Sequence, residues 1–130
     1  MYKYSNKIPA MEVKRLLAEA QNAKWEINKG PEVDYSTAQY GENAKFIKIP
    51  AKGWIKRHSD NGGRPEGTKT FHTVLCTNDQ CLNISYGKET QKIHMPVGTV
   101  WEFDTLPEHE SFNNGETDRI HLVMDIHDKS

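Results

Sequence analysis

Apolar residues near the start of the chain recur at helical spacing and then give way to a shorter rhythm. Val13, Leu16, Leu17 and Ala20 fall three and four residues apart, with Glu and Lys between them, so the spacing predicts one amphipathic helix over 10–24 that packs on the outside of the domain. After Gly30-Pro31 the pattern changes to short runs rich in β-branched and aromatic residues, cut by Gly, Asn, Asp and Pro. These runs predict strands at 44–49, 53–58, 70–76, 81–86, 91–95, 99–103, 109–112 and 119–126. The roughly fifty residues before His58 supply only the helix and a few strands. Eight short strands with turns between them suit a double-sheeted jelly roll or small barrel, which hides strand edges by closing on itself. Asn113-Asn114-Gly115-Glu116 is the plainest turn, reversing the chain before the last strand.

At 130 residues the chain supports one compact domain, 1–130, with a core of its own. Seventeen basic and eighteen acidic side chains leave a net charge of -1 with no dense run of Lys or Arg, which disfavours nucleic acid as a partner. No apolar stretch reaches signal-peptide or membrane-spanning length, so the expectation is a cytoplasmic protein without membrane contact. Cys76 and Cys81 flank four residues and could face each other across a hairpin. In a cytoplasmic chain they read as free thiols, and no second Cys or His pair completes a zinc finger.

Chemistry enters with the histidines. His58 and Asp60 stand two residues apart at the end of a predicted strand, where alternation points both to one side, and Asn61-Gly62-Gly63 lets the chain turn away. His109 opens another strand. Two imidazoles and a carboxylate on one octahedral face leave three positions open, the arrangement of oxygen-activating non-haem iron sites. Without further support the same residues read equally as surface imidazoles near loops. Arg119, ten residues after His109, lies on the otherwise apolar strand Arg119-Ile120-His121-Leu122-Val123. Burying it requires an acidic partner: either Asp104 or Asp118 within the protein, or a dicarboxylate ligand suited to the planar guanidinium fork.

With these residues in hand, the chain resembles the aspartyl/asparaginyl β-hydroxylase family, which also takes in bacterial proline hydroxylases. The resemblance covers 52–125 and rests on four ordered pieces: His58-x-Asp60; Thr70-Phe71-His72-Thr73-Val74-Leu75; Gly98-x-x-Trp101-x-Phe103-Asp104 with His109; and Asn113 followed by Arg119-Ile120-His121-Leu122-Val123-x-Asp125. It implies a double-stranded β-helix of cupin-like form, Fe(II) held by His58, Asp60 and His109, and 2-oxoglutarate as co-substrate. Arg119 would bind the distal carboxylate of 2-oxoglutarate and His72 would lie beside it. Vertebrate β-hydroxylases lack the carboxylate that Asp60 supplies, so here the chain sides with enzymes of free amino acids. Thr70 departs from relatives that carry Arg there, a charge that Lys56, Arg64 or Lys69 could replace.

The implied reaction is hydroxylation of an amino acid, or of a peptidyl Asp-, Asn- or Pro-type side chain, with release of succinate and carbon dioxide. Two-residue alternation puts Trp54 and Lys56 on the strand face of His58, and His121 on that of Arg119, as candidate pocket lining. His94 and His127 carry no assignment. Two other readings remain: a cupin-like metal protein that uses no 2-oxoglutarate, and an inactive binding module on the same fold. Acceptor recognition would sit on loops 62–67 and 113–118, where the sequence carries no readable code, and oligomeric state is not encoded legibly either.

Overall fold

The computed structural model describes residues 2–31, 33–59 and 68–127; Asp60, Arg64 and the loop 62–67 lie outside the described residues. The order of elements is β1 (Tyr2–Lys7), α1 (Ala10–Gln21), β2 (Glu26–Gly30), β3 (Val33–Gln39), β4 (Ala44–Ile49), β5 (Trp54–His58), β6 (Thr68–Cys76), β7 (Cys81–Tyr86), β8 (Thr90–Ile93), β9 (Thr99–Phe103), β10 (Glu108–Asn113) and β11 (Arg119–His127). All eight strands expected from residue 44 onward are present, three with the expected bounds. The structure adds β1, β2 and β3, whose sequences carry little apolar signal because β1 and β2 are largely exposed. Helix α1 stops at Gln21 rather than at Lys24: Asn22 leaves helical geometry, and its side-chain amide donates to the Ala18 carbonyl.

The strands form one antiparallel sheet in the order β1-β9-β6-β11-β4-β3-β5-β10-β7-β8, with β2 paired to β3. This sheet curls into a nearly closed barrel of cupin type. Its two end strands meet through one side chain. The Gln91 amide on β8 accepts from the Tyr2 backbone N–H at 2.7 Å and donates to the Tyr2 carbonyl at 2.9 Å, taking the place of a ladder pair.

Alternation along β3, β4, β6 and β11 separates two environments. On the outer face Ala38, Phe46, Leu75 and Leu122 meet Leu16 and Ala20 of α1 in an apolar layer. The inner face of the same strands carries Thr37, Lys45, Thr70, His72 and Arg119. A smaller apolar cluster of Tyr2, Val74, Met95 and Phe103 fills part of the barrel. The turn expected after Asn113 is present: Asn113 Oδ1 accepts from the Gly115 N–H at 3.1 Å, and the Asn78 side chain occupies the space a Cβ at Gly115 would need. Both cysteines are free thiols. Among the described residues no helix is long and apolar enough to cross a membrane.

Candidate functional site

Inside the barrel lies a cavity of about 270 Å³, lined from β1, β3, β4, β5, β6, β9, β10 and β11. That is just below the usual span of small-molecule sites, roughly 300–1,000 Å³. His58 and His109 share one part of the wall. They are directly paired in the β5/β10 register, and their ring centroids are 4.3 Å apart. Each ring is held by the backbone two residues before it: His58 Nδ1 lies 2.7 Å from the Lys56 carbonyl, and His109 Nδ1 lies 2.9 Å from the Pro107 carbonyl. A carbonyl can only accept, so both Nδ1 atoms carry a proton, which in a neutral ring leaves the lone pair on Nε2. This is how metal-binding imidazoles are commonly oriented. Among the described residues no third His, Cys, Asp or Glu completes a metal-binding group.

His58 owes its inward direction to an irregularity that sequence reasoning missed. Between the pairs His109↔His58 and Ser111↔Ile55, β10 advances two residues while β5 advances three. The extra residue is a β-bulge, and it reverses the alternation. Ile55 and His58 therefore both face the cavity, while Trp54 and Lys56 turn outward to a surface groove with Arg57 and Phe112. The expectation that Trp54 and Lys56 line the pocket is corrected accordingly.

Arg119 is 1% exposed. Its Nη1 donates to Asn83 Oδ1 at 2.7 Å, Ser111 Oγ donates to the same oxygen at 3.0 Å, and its buried Nε has no hydrogen-bond partner. Neither carboxylate considered as an internal partner meets it: Asp104 accepts from the Leu106 N–H, and at Asp118 it is the backbone carbonyl that accepts, from the Cys76 thiol. Burial pulls the Arg119 guanidinium down to about 10, with Tyr2 opposing the shift, so it remains charged at neutral pH. A buried cation without a carboxylate among the described residues is costly in a finished core.

Tyr2 completes this end of the cavity. It is buried, stacks on Phe103 at a centroid distance of 4.2 Å, and shares the cavity wall with Ser111. Burial pushes its phenol up, against the smaller opposing pull of Arg119, so it carries its proton at neutral pH. Tyr2, Asn83 and Ser111 escaped sequence reasoning. The available signal was a register: Ser111 stands two residues after His109 on the same strand.

His72 lines the cavity, and its ring meets Phe103 edge-on at 5.6 Å. His121 is 1% exposed and lies behind it, the two Nδ1 atoms 3.1 Å apart. Burial, then Arg119, then His72 hold His121 well below the usual imidazole range, so it is neutral. The inner face of the barrel thus brings together His58, His72, His109, Arg119 and His121, with His121 one layer back from the cavity.

A solved 2OG-Fe(II) oxygenase-family oxidoreductase from Burkholderia pseudomallei superposes with a TM-score of 0.75, at 14% identity over 91% of this chain and 79% of that one. A Pseudomonas putida prolyl-4-hydroxylase gives 0.72 at 13% identity, over 98% and 92% of the two chains. A Bordetella pertussis cupin domain gives 0.52 at 14% identity, over 78% and 99%. These likenesses are of fold. In sequence, the L-proline cis-4-hydroxylase of Rhizobium meliloti (strain 1021) is 29% identical over 93 residues, which cover 72% of this chain and 31% of that protein. The chain therefore matches under a third of that curated relative's length. The family model described as Aspartyl/Asparaginyl beta-hydroxylase matches residues 13–129, and with nearly the whole chain inside that match, the protein belongs to the aspartyl/asparaginyl β-hydroxylase family.

Proposed function

We propose that the chain is an Fe(II)- and 2-oxoglutarate-dependent dioxygenase that hydroxylates an amino acid or a peptidyl Asp-, Asn- or Pro-type side chain. The observation that carries this reading is the pairing of two features in one cavity. Arg119 is buried and charged with no carboxylate against it among the described residues, and the His58 and His109 rings lie side by side on the cavity wall with Nδ1 turned to backbone carbonyls. One feature calls for an anionic ligand, the other for a Lewis acid.

The donor set fits the metal. His58 and His109 would hold Fe(II), and Asp60, two residues beyond His58, would supply the carboxylate of a two-His, one-carboxylate face. When bound, Fe(II) and 2-oxoglutarate supply oxygen activation: one dioxygen and one 2-oxoglutarate give succinate, carbon dioxide and one hydroxylated acceptor. The residues of the chain bind, orient and exclude water. Arg119 pairs with the distal carboxylate, and Asn83, by accepting from Nη1, fixes the fork. The protonated Tyr2 hydroxyl, with Ser111, adds a neutral polar edge beside that carboxylate. His72 stands beside the co-substrate on the cavity wall. The stacked Tyr2 and Phe103 rings keep this end dry, which strengthens charge pairing. The proline hydroxylase among the relatives makes a free amino acid the first acceptor class to screen.

The test is an anaerobic titration of purified protein with Fe(II) and 2-oxoglutarate, following the weak visible charge-transfer absorption of the chelate. The expected band requires both components and disappears in His109→Ala. Metal binding without a band would mean a cupin-like metal protein, and no metal binding would mean an inactive module.

A further inference from the structure

His72, half-buried on the wall of the candidate co-substrate site, and His121, buried behind it, make one contact that holds a single hydrogen. His72 Nδ1 and His121 Nδ1 are 3.1 Å apart, with rings nearly perpendicular at 88°. A contact of that length between two neutral imidazoles holds a single proton. If His72 donates, its Nε2 presents a lone pair to the cavity, and His121 must carry its own proton on Nε2. If His121 donates, His72 presents an Nε2–H, and the His121 Nε2 is bare.

The surroundings of His121 decide between the two. Its ring is 1% exposed, and its only hydrogen bond among the described residues is the one to His72. Arg119, two residues earlier on the same inward face, sets a positive potential there. An Nε2–H with no acceptor among the described residues, in the field of a guanidinium, costs more than a lone pair in the same place. The second arrangement is therefore the stable one.

We propose that His121 is a positioning residue that fixes His72 in its Nε2–H tautomer, making His72 a hydrogen-bond donor into the cavity toward an anionic ligand. This rests on the 2-oxoglutarate reading for the identity of the anion, but not for the tautomer. The device sets His72 apart from the other described histidines. His58, His94 and His109 all turn Nδ1 toward a backbone carbonyl and so carry the proton on Nδ1. In a neutral ring that arrangement leaves the Nε2 lone pair of His58 and His109 for a cation, whereas His72 arms Nε2 for an anion.

The test is a long-range proton–nitrogen correlation spectrum of metal-free protein carrying isotope-labelled histidine, assigned by single His→Gln substitutions. His72 is expected as the Nε2–H form and His121 as the Nδ1–H form, with His58, His94 and His109 as Nδ1–H. A protonated Nδ1 on His72 overturns the proposal, whatever the protein binds. The second measurement is calorimetric binding of 2-oxoglutarate to the Mn(II)-loaded protein. His121→Leu, which cannot donate, is expected to lose the fixed tautomer of His72 and about tenfold in affinity, the scale of one hydrogen bond. His121→Gln, which can donate, is expected to stay within about threefold. Unchanged affinity and tautomer in His121→Leu would also overturn the role of His121. A wild-type protein that binds no 2-oxoglutarate would sink the functional reading and leave the tautomer result standing.

Discussion

The outer and inner faces of β4, β6 and β11 are built from the same strands and serve opposite ends. On the outside, Phe46, Leu75 and Leu122 pack against Leu16 and Ala20 with nothing polar among them. On the inside, neighbouring residues of the same strands place a charged guanidinium and a histidine pair where apolar side chains would be cheaper. A two-residue repeat lets one strand hold the fold together with one set of alternate positions and carry polar groups on the other. The inner face spends stability that the outer face provides.

The contrast can be broken from either side, and the largest effect is expected on the outer face. Phe46 is fully buried and touches Trp25 and Tyr40 through its ring. Phe46→Ala is expected to cost about 3–5 kcal/mol in denaturant unfolding, while the folded fraction keeps its affinity for 2-oxoglutarate. Next comes Arg119→Met. Ser111 still satisfies Asn83 Oδ1 in this variant, so stability is expected to hold or rise, while calorimetric 2-oxoglutarate binding falls at least ~100-fold, or roughly 2.7 kcal/mol. A destabilised variant with intact binding would make Arg119 a structural residue and dissolve the contrast.

The smallest effect sharpens the comparison through pH. His121 is neutral when folded because its pKa lies well below 6.5, whereas in the unfolded chain it takes up a proton near 6.5. Its share of stability is therefore full above about pH 6.5 and is lost as pH falls, at about 1.4 kcal/mol per unit until the folded pKa is reached. Chemical unfolding of metal-free protein at pH 7.5 and 5.5 should show about 1 kcal/mol more acid sensitivity than in His121→Gln. Equal sensitivity in the two proteins would show that His121 is not buried neutral.

Most of the barrel was legible because strands from Ala44 onward combine β-branched or aromatic residues with clear punctuation. β2 and β3 were not, since their hairpin lies largely at the surface and alternates too weakly to announce itself. At the site, His58, His72, His109, Arg119 and His121 could be picked out by residue type, and the structure brings all five to one side of the sheet. Tyr2 and Asn83 could not, because their importance comes from distant pairing: β1 with β9, and β7 with β10. Trp54 and Lys56 were misplaced because strict alternation was assumed through a strand that breaks it.

That break makes the site depend on a single irregularity of pairing. β5 behaves as a counter whose parity is set by one surplus residue between Ile55 and His58. Straightening the bulge without removing a residue would leave every candidate ligand in the sequence and yet turn Arg57 to the interior and His58 to solvent. Two chains with matching His letters can thus differ in whether those side chains face one cavity, and a comparison of letters alone would not distinguish them.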